Sequence, residues 1–174
     1  SYQLDKNVSF VLGYGHMWMA PSKVGYTEFA NENRIYEQVQ FTSAYKKINF
    51  LQRLRSEQRW KEVLVNDKHV DSSYFTQRFR YLLSTTIPVF KSKKLPSLVV
   101  ADEVCLQFGK NIGYNTFDQN RLFFGIKQFI TPALNCDMGY MAVFQQKDNG
   151  YTYNLNRTFR LFFYYTPKLY KHKA

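Results

Sequence analysis

The chain has 174 residues, with 24 Lys+Arg against 13 Asp+Glu, a formal net charge of +11, 45% hydrophobic residues and 18% aromatics. These figures suit one domain with a full core and exclude a disordered tail or a collagen-like repeat, and two cysteines give neither a disulfide framework nor a metal knuckle. The longest mainly apolar stretch without a charge, Val8 to Ala20, is shorter than the roughly 20 residues of a membrane-spanning helix.

Ser1 opens the chain without a basic or apolar signal segment, so any export signal is expected to lie outside this numbering. From there, segments of alternating character recur to the other end, and no helical period competes with them. The pattern predicts a stub at Tyr2 to Leu4 and then eight strands. They are expected at Val8 to Met19, Arg34 to Ser43, Ile48 to Trp60, Tyr74 to Ile87, Ser97 to Phe108, Asp118 to Phe129, Asn135 to Gln146 and Asn154 to Tyr165. The links alternate in length. Asp5 to Asn7, Ala44 to Lys47 and Ile130 to Leu134 are short and Ala20 to Asn33, Lys61 to Ser73 and Gly109 to Phe117 are longer, a trend to which Pro88 to Pro96 among the short links and Lys147 to Tyr153 among the long ones are exceptions. Short turns at one end and longer loops at the other are the signature of an antiparallel, up-and-down transmembrane β-barrel. Residues 1–167 are expected to form this single domain, followed by a basic tail over 168–174.

Successive side chains of a strand point to opposite faces, so parity separates two rows. One row carries Arg53, Arg55, Glu57 and Arg59, then Arg78 and Arg80, Glu103, Arg121 and Lys127, Asp137 and Arg160. The other carries side chains such as Phe75, Phe79, Tyr81, Leu83, Leu122, Phe124 and Ile126. A soluble lipocalin-like barrel would turn the apolar row inward and a membrane barrel would turn it outward. Two features favour the second. Lys gathers in the links while Arg sits in mid-strand, where its planar fork suits buried pairing with carboxylates, and small residues such as Gly13, Gly15, Gly125 and Gly139 punctuate the polar row. Trp18, Trp60, Tyr74, Phe129 and Tyr165 near strand ends are then expected to form interfacial girdles.

The charged row is the constellation with chemical promise. Its cations outnumber its carboxylates, so Glu57 and Glu103 are expected to bridge several Arg each, either as a salt-bridge plug or as the wall of an anion-attracting lumen. His16, His69 and His172 are scattered, which gives no metal site, and no cofactor is implied. Ser9, Ser43, Ser56 and Ser84 sit in no nucleophile motif, so a lipid hydrolase or acyltransferase is a minor alternative. Cys105 and Cys136 are expected as free thiols, facing inward and outward respectively. Asp102 falls in the outward row, where a carboxylate is costly unless a bulge shifts parity or a partner covers it. Gln52, Ser56 and Gln58 weaken the outward row of an earlier strand and point to a protein contact or to the rim. Basic residues threaded through strands do not form a nucleic-acid surface.

At Asp102-Glu103-Val104, Phe117-Asp118-Gln119-Asn120-Arg121-Leu122, and Glu57-Gln58-Arg59-Trp60 preceded by Arg53-Leu54-Arg55, the chain resembles the domain of unknown function 2490 (DUF2490) family, and Asn31 to Gln38 matches its polar loop entering a strand. The resemblance covers nearly the whole chain. It implies an exported β-barrel of the Gram-negative outer membrane, mostly from Bacteroidota, and nothing catalytic. Such proteins usually have strands before the point matched by Ser1, so eight strands and a stub here imply about 10 to 12 in a full-length barrel. The expected role is a structural or accessory subunit of an envelope complex, in contact with outer-membrane lipid and a protein partner. A small anion-favouring channel is the alternative.

Overall fold

The computed structural model describes residues 2–21, 24–92 and 95–165. Nine strands follow one another as β1 (Tyr2–Asp5), β2 (Val8–Met19), β3 (Ala30–Tyr45), β4 (Ile48–Val65), β5 (Lys68–Pro88), β6 (Ser97–Phe108), β7 (Phe117–Phe129), β8 (Leu134–Gln146) and β9 (Tyr153–Tyr165). Each pairs antiparallel with the next in one up-and-down sheet, β1 to β9 in chain order. The all-β antiparallel expectation is met, whereas the closed barrel is not, because β1 and β9 are edges of the sheet rather than neighbours. Length supplies a reason. β1 has four residues and cannot cover the edge of the 13-residue β9. The expected stub is itself a paired strand, with Tyr2 opposite Phe10.

A second correction concerns the expected loop Lys61 to Ser73. It is the tip of the β4–β5 hairpin, closed by Asn66 and Asp67, whose φ values of 50° and 60° lie in the left-handed region. Asn and Asp tolerate that region better than other side-chain-bearing residues, which is why the pair can close a two-residue hairpin. Lys168, Lys171 and Lys173 of the basic tail, and Lys93 and Lys94, lie outside the described residues.

Register makes the two faces explicit. One concave rung runs Gln38, Arg55, Arg80, Cys105, Gln119, Gln145 across β3 to β8, and the next runs Gln40, Arg53, Leu82, Glu103, Arg121, Val143. The interior is therefore polar. Glu32, Glu57, Arg59, Thr76, Arg78 and Glu103 are buried, and the buried apolar cluster is confined to Val99, Ala101 and Phe123 with Leu82 and Met141 against it. The convex face carries the large apolar side chains in the open, from Leu12 and Tyr14 on β2 to Phe159 on β9 at 74% exposure, against 1% for Glu57.

Two close approaches on the concave side need glycine. Gly125 and Gly139 face each other across β7 and β8, and a Cβ on Gly125 would collide with the Met138 carbonyl and the Phe123 ring. Gly13 lies under the Tyr36 ring in the same way. Each covered glycine holds a ring flat beneath a guanidinium, Arg55 at 4.3 Å from the Tyr36 centroid and Arg160 at 4.7 Å from that of Phe123.

Beyond Trp60, the hairpin tip grips the β2–β3 loop. The Asp67 carboxylate accepts from the Thr27 and Glu28 amides at 2.9 and 3.0 Å, and His69 sits between Glu62 at 2.9 Å and Glu28 at 3.3 Å. The Glu62 hydrogen bond, with Glu28 behind it, raises the His69 pKa above the usual histidine range, while backbone and imidazole donors keep Glu62 ionised. A raised histidine stabilises fully below its unfolded value of about 6.5 and loses that contribution as pH climbs through the folded value. Nuclear magnetic resonance titration should place the His69 midpoint above an ordinary histidine. Limited proteolysis of the β2–β3 loop should become faster as pH rises above about 6.5, and His69→Gln should remove that pH dependence.

Candidate functional site: a buried guanidinium–carboxylate lattice

The polar alternation of β3 to β7 projects Arg and Glu from adjacent strands into one interior, and each glutamate of the lattice there, Glu32, Glu57 and Glu103, collects several guanidinium groups. Arg59 donates to Glu32 through two nitrogens, at 2.7 and 3.1 Å, and Arg34 binds the same carboxylate. One rung on, Glu57 takes Arg78 at 2.5 Å and Arg80 at 2.7 Å, with Arg55 at 3.5 Å. Arg78 also reaches Asp118 at 3.1 Å. Arg80 continues to Glu103 at 2.7 Å, where Arg53 at 2.6 Å and Arg121 at 3.4 Å join it. Arg80 thus ties the Glu57 and Glu103 clusters together.

Bridging is a consequence of number. A buried guanidinium must be paired because leaving it unpaired costs several kcal/mol, and the carboxylates are too few for one each, so Glu32 serves two, Glu103 three and Glu57 as many as four. Planar forks permit this sharing since their N–H groups can address two acceptors. Arg55 shows the limit, donating its short hydrogen bonds to the neutral Gln38 amide oxygen at 2.5 and 2.8 Å.

Of the residues the sequence singles out, Arg53, Arg55, Glu57, Arg59, Arg78, Arg80, Glu103 and Arg121 form this lattice. Lys127 and Asp137 form a separate pair at 3.5 Å nearer the short-link end, and Arg160 stands without a carboxylate among the described residues, over the Phe123 and Phe162 rings. Sequence reasoning missed Glu32, Arg34 and Asp118. Arg34 is the first residue of the expected strand and Glu32 continues its alternation two residues earlier, within a strand that starts at Ala30, so that signal was readable. Asp118 was not, because a bulge between Cys105 and Leu106 leaves Asp118 unpaired and both it and Gln119 buried.

Three of the five expected girdle aromatics, Trp18, Trp60 and Tyr165, lie exposed in the outward row. Tyr74 does not. It shares the concave row with Lys61, whose ammonium sits 5.6 Å from its ring, and Phe75 takes the outer place beside Trp60. Unbroken register likewise puts Phe129 in the row of Lys127, at the rim. The two thiols are free. Cys136 keeps the outward parity expected of it but is covered by its neighbours, with only 3% exposed. No bulge rescues Asp102, which stays outward and accepts from the Asn120 amide.

Next to the lattice, towards the short-link end, lies a cavity of about 570 Å³ lined by Arg53, Arg121, Phe123, Lys127, Arg160 and Tyr164 among others. Among the described residues no group of three or more His, Cys, Asp or Glu is placed to hold a metal.

The family model described as "Protein of unknown function (DUF2490)" matches residues 1–154. No curated protein and no solved structure matches the chain.

Glu57→Gln leaves Arg78 and Arg80 as buried cations short of a counter-charge, and breaking a buried pair from one side costs about 3–5 kcal/mol. Denaturant unfolding of the variant should register a loss of that size. Asp102→Asn, on the exposed face, should stay within about 0.5 kcal/mol of the parent.

Proposed function

The chain belongs to the DUF2490 family of proteins of unknown function, and we propose that it is a membrane-spanning wall of the Gram-negative outer membrane, serving as a structural or accessory subunit of an envelope complex with no catalytic role. The supporting observation is the inverted polarity: charged side chains are buried and large apolar ones exposed along the same strands. In water this arrangement opposes the hydrophobic effect, which favours burial of a Leu or Phe side chain by about 1.5–3 kcal/mol. A continuous exposed apolar face is also far larger than soluble monomers tolerate. In hydrocarbon the same face is the favoured one. Strands of 12 to 21 residues from β2 onward exceed the about 9–11 that cross a bilayer. Unpaired strand edges are not tolerated in lipid, so in a membrane the β1 and β9 edges would have to be covered by further strand pairing.

The accessory role rests on a polar stripe interrupting the convex face. Gln58 donates to Glu37 at 3.1 Å and Ser56 at 3.3 Å, Gln77 donates to Ser56 at 3.4 Å, and the Gln58 carbonyl oxygen is buried without a donor. Acyl chains cannot satisfy these groups, whereas a protein partner can. The ion-paired lattice occupies the lumen, which favours a closed interior over an open conduit.

Folded protein should migrate differently on gels before and after boiling and should need surfactant to stay monodisperse; stable monomers in plain buffer would overturn the membrane reading. Planar bilayers containing it should be electrically silent. Mild solubilisation should recover a stoichiometric partner that Gln58→Leu together with Ser56→Leu releases, and consistent isolation of a lone barrel would overturn the accessory role.

A further inference from the structure

The cavity beside the lattice has features that neither a plug nor a wall requires. Its upper rung presents Arg53 and Arg121, both drawing on Glu103, a carboxylate already engaged by Arg80. Its lower part presents Arg160, whose nearest polar contact is a donation to the Tyr164 hydroxyl at 3.2 Å. Beside them lies the apolar surface of Leu82 and Met141, half-buried against the core cluster of Val99, Ala101 and Phe123.

Two independent observations point to a missing counter-ion. The first is charge: among the described residues Glu103 and Asp137 are the carboxylates lining the cavity, against Arg53, Arg55, Arg80, Arg121, Lys127 and Arg160. The second is hydrogen bonding: the Nε–H groups of Arg53, Arg121 and Arg160 are buried with no acceptor. Buried donors without partners are costly, and an anionic oxygen is the acceptor that satisfies donor and charge together. The volume lies in the range of small-molecule sites. The apolar middle would remain unfilled by a bare inorganic ion.

We infer that this chamber binds an amphipathic organic anion, a phosphate monoester or carboxylate on a small apolar body, with the anionic group held by Arg121 and Arg160 and the body against Leu82 and Met141. The inference deepens the Proposed function by giving the charged interior a ligand. It does not depend on whether the convex face meets lipid, because the chamber lies on the concave side.

The test is calorimetric titration of the full chain, in nonionic detergent or in buffer according to where it is monodisperse, with phenyl phosphate as the probe. One equivalent should bind, and inorganic phosphate should bind more weakly because it leaves the apolar wall empty. Arg121→Gln and Arg160→Gln should each weaken phenyl phosphate about tenfold or more, the loss of a charge-assisted hydrogen bond, while Arg160→Lys should recover part of the affinity. Retained near-ultraviolet circular dichroism would establish that each variant is folded. Lys46→Gln with Lys91→Gln, which removes charges lining a different cavity at the rim, should leave binding unchanged. Competition by dioctanoyl phosphatidate would identify a lipid headgroup as the source, and competition by benzoate but not by the phosphatidate would identify a soluble acid. Folded protein that takes up no phenyl phosphate would overturn the inference, as would binding that the rim variant weakens as much as the chamber variants do. Those failures are separate from failure of the membrane reading, which the boiling and detergent experiments decide.

Discussion

Buried guanidinium groups and the carboxylates they share are the constraint on which the rest of this molecule depends. Arg80 holds Glu57 with one nitrogen and Glu103 with another, and through those two carboxylates it is linked to Arg53, Arg55, Arg78 and Arg121 on β4, β5 and β7. A lattice of this kind fixes register more tightly than apolar packing does. A shift of one residue would turn every Arg of a strand to the other face, and each stranded charge would cost several kcal/mol. The curvature of the sheet follows from the same demand, since the strands that contribute carboxylates must bend round to meet those that contribute cations.

Placing charge inside leaves the apolar side chains outside, and that exchange decides which environments the fold can occupy. Phe75, Phe79, Leu122 and Phe124 form a surface suited to acyl chains. Glu37, Ser56, Gln58 and Gln77 interrupt that surface, and on the proposed membrane reading they are the groups that a protein partner would cover. The hairpin tip beyond Trp60 follows different rules: there His69, Glu62 and Asp67 are accessible to water, and pH acts on them directly.

Sharing has a limit, and the limit falls at the short-link end of the interior. Glu32, Glu57 and Glu103 are each shared among several guanidinium groups, whereas Arg160 has no carboxylate to draw on among the described residues. The apolar cluster of Val99, Ala101 and Phe123 sits where the lattice stops. Charge that the protein leaves uncompensated beside apolar wall is a specific chemical complement to an amphipathic anion.

Alternation by itself determined most of the strand list, because a period of two is a local property: β2 and β6 begin and end where the pattern places them, and nearly all lattice residues are visible as charged members of one parity row. Composition separated Arg in strands from Lys in links, and with it the buried face from the exposed one. Only the tertiary structure decided three things. The Asn66-Asp67 turn converts an expected loop into a hairpin because two residues adopt the left-handed region, which composition does not dictate. The bulge between Cys105 and Leu106 places Asp118 in reach of Arg78, since an unpaired residue leaves no trace in parity counting. Which carboxylate meets which guanidinium, and therefore where charge is left over, depends on the stagger of non-adjacent strands, a relation between distant segments that no local pattern encodes.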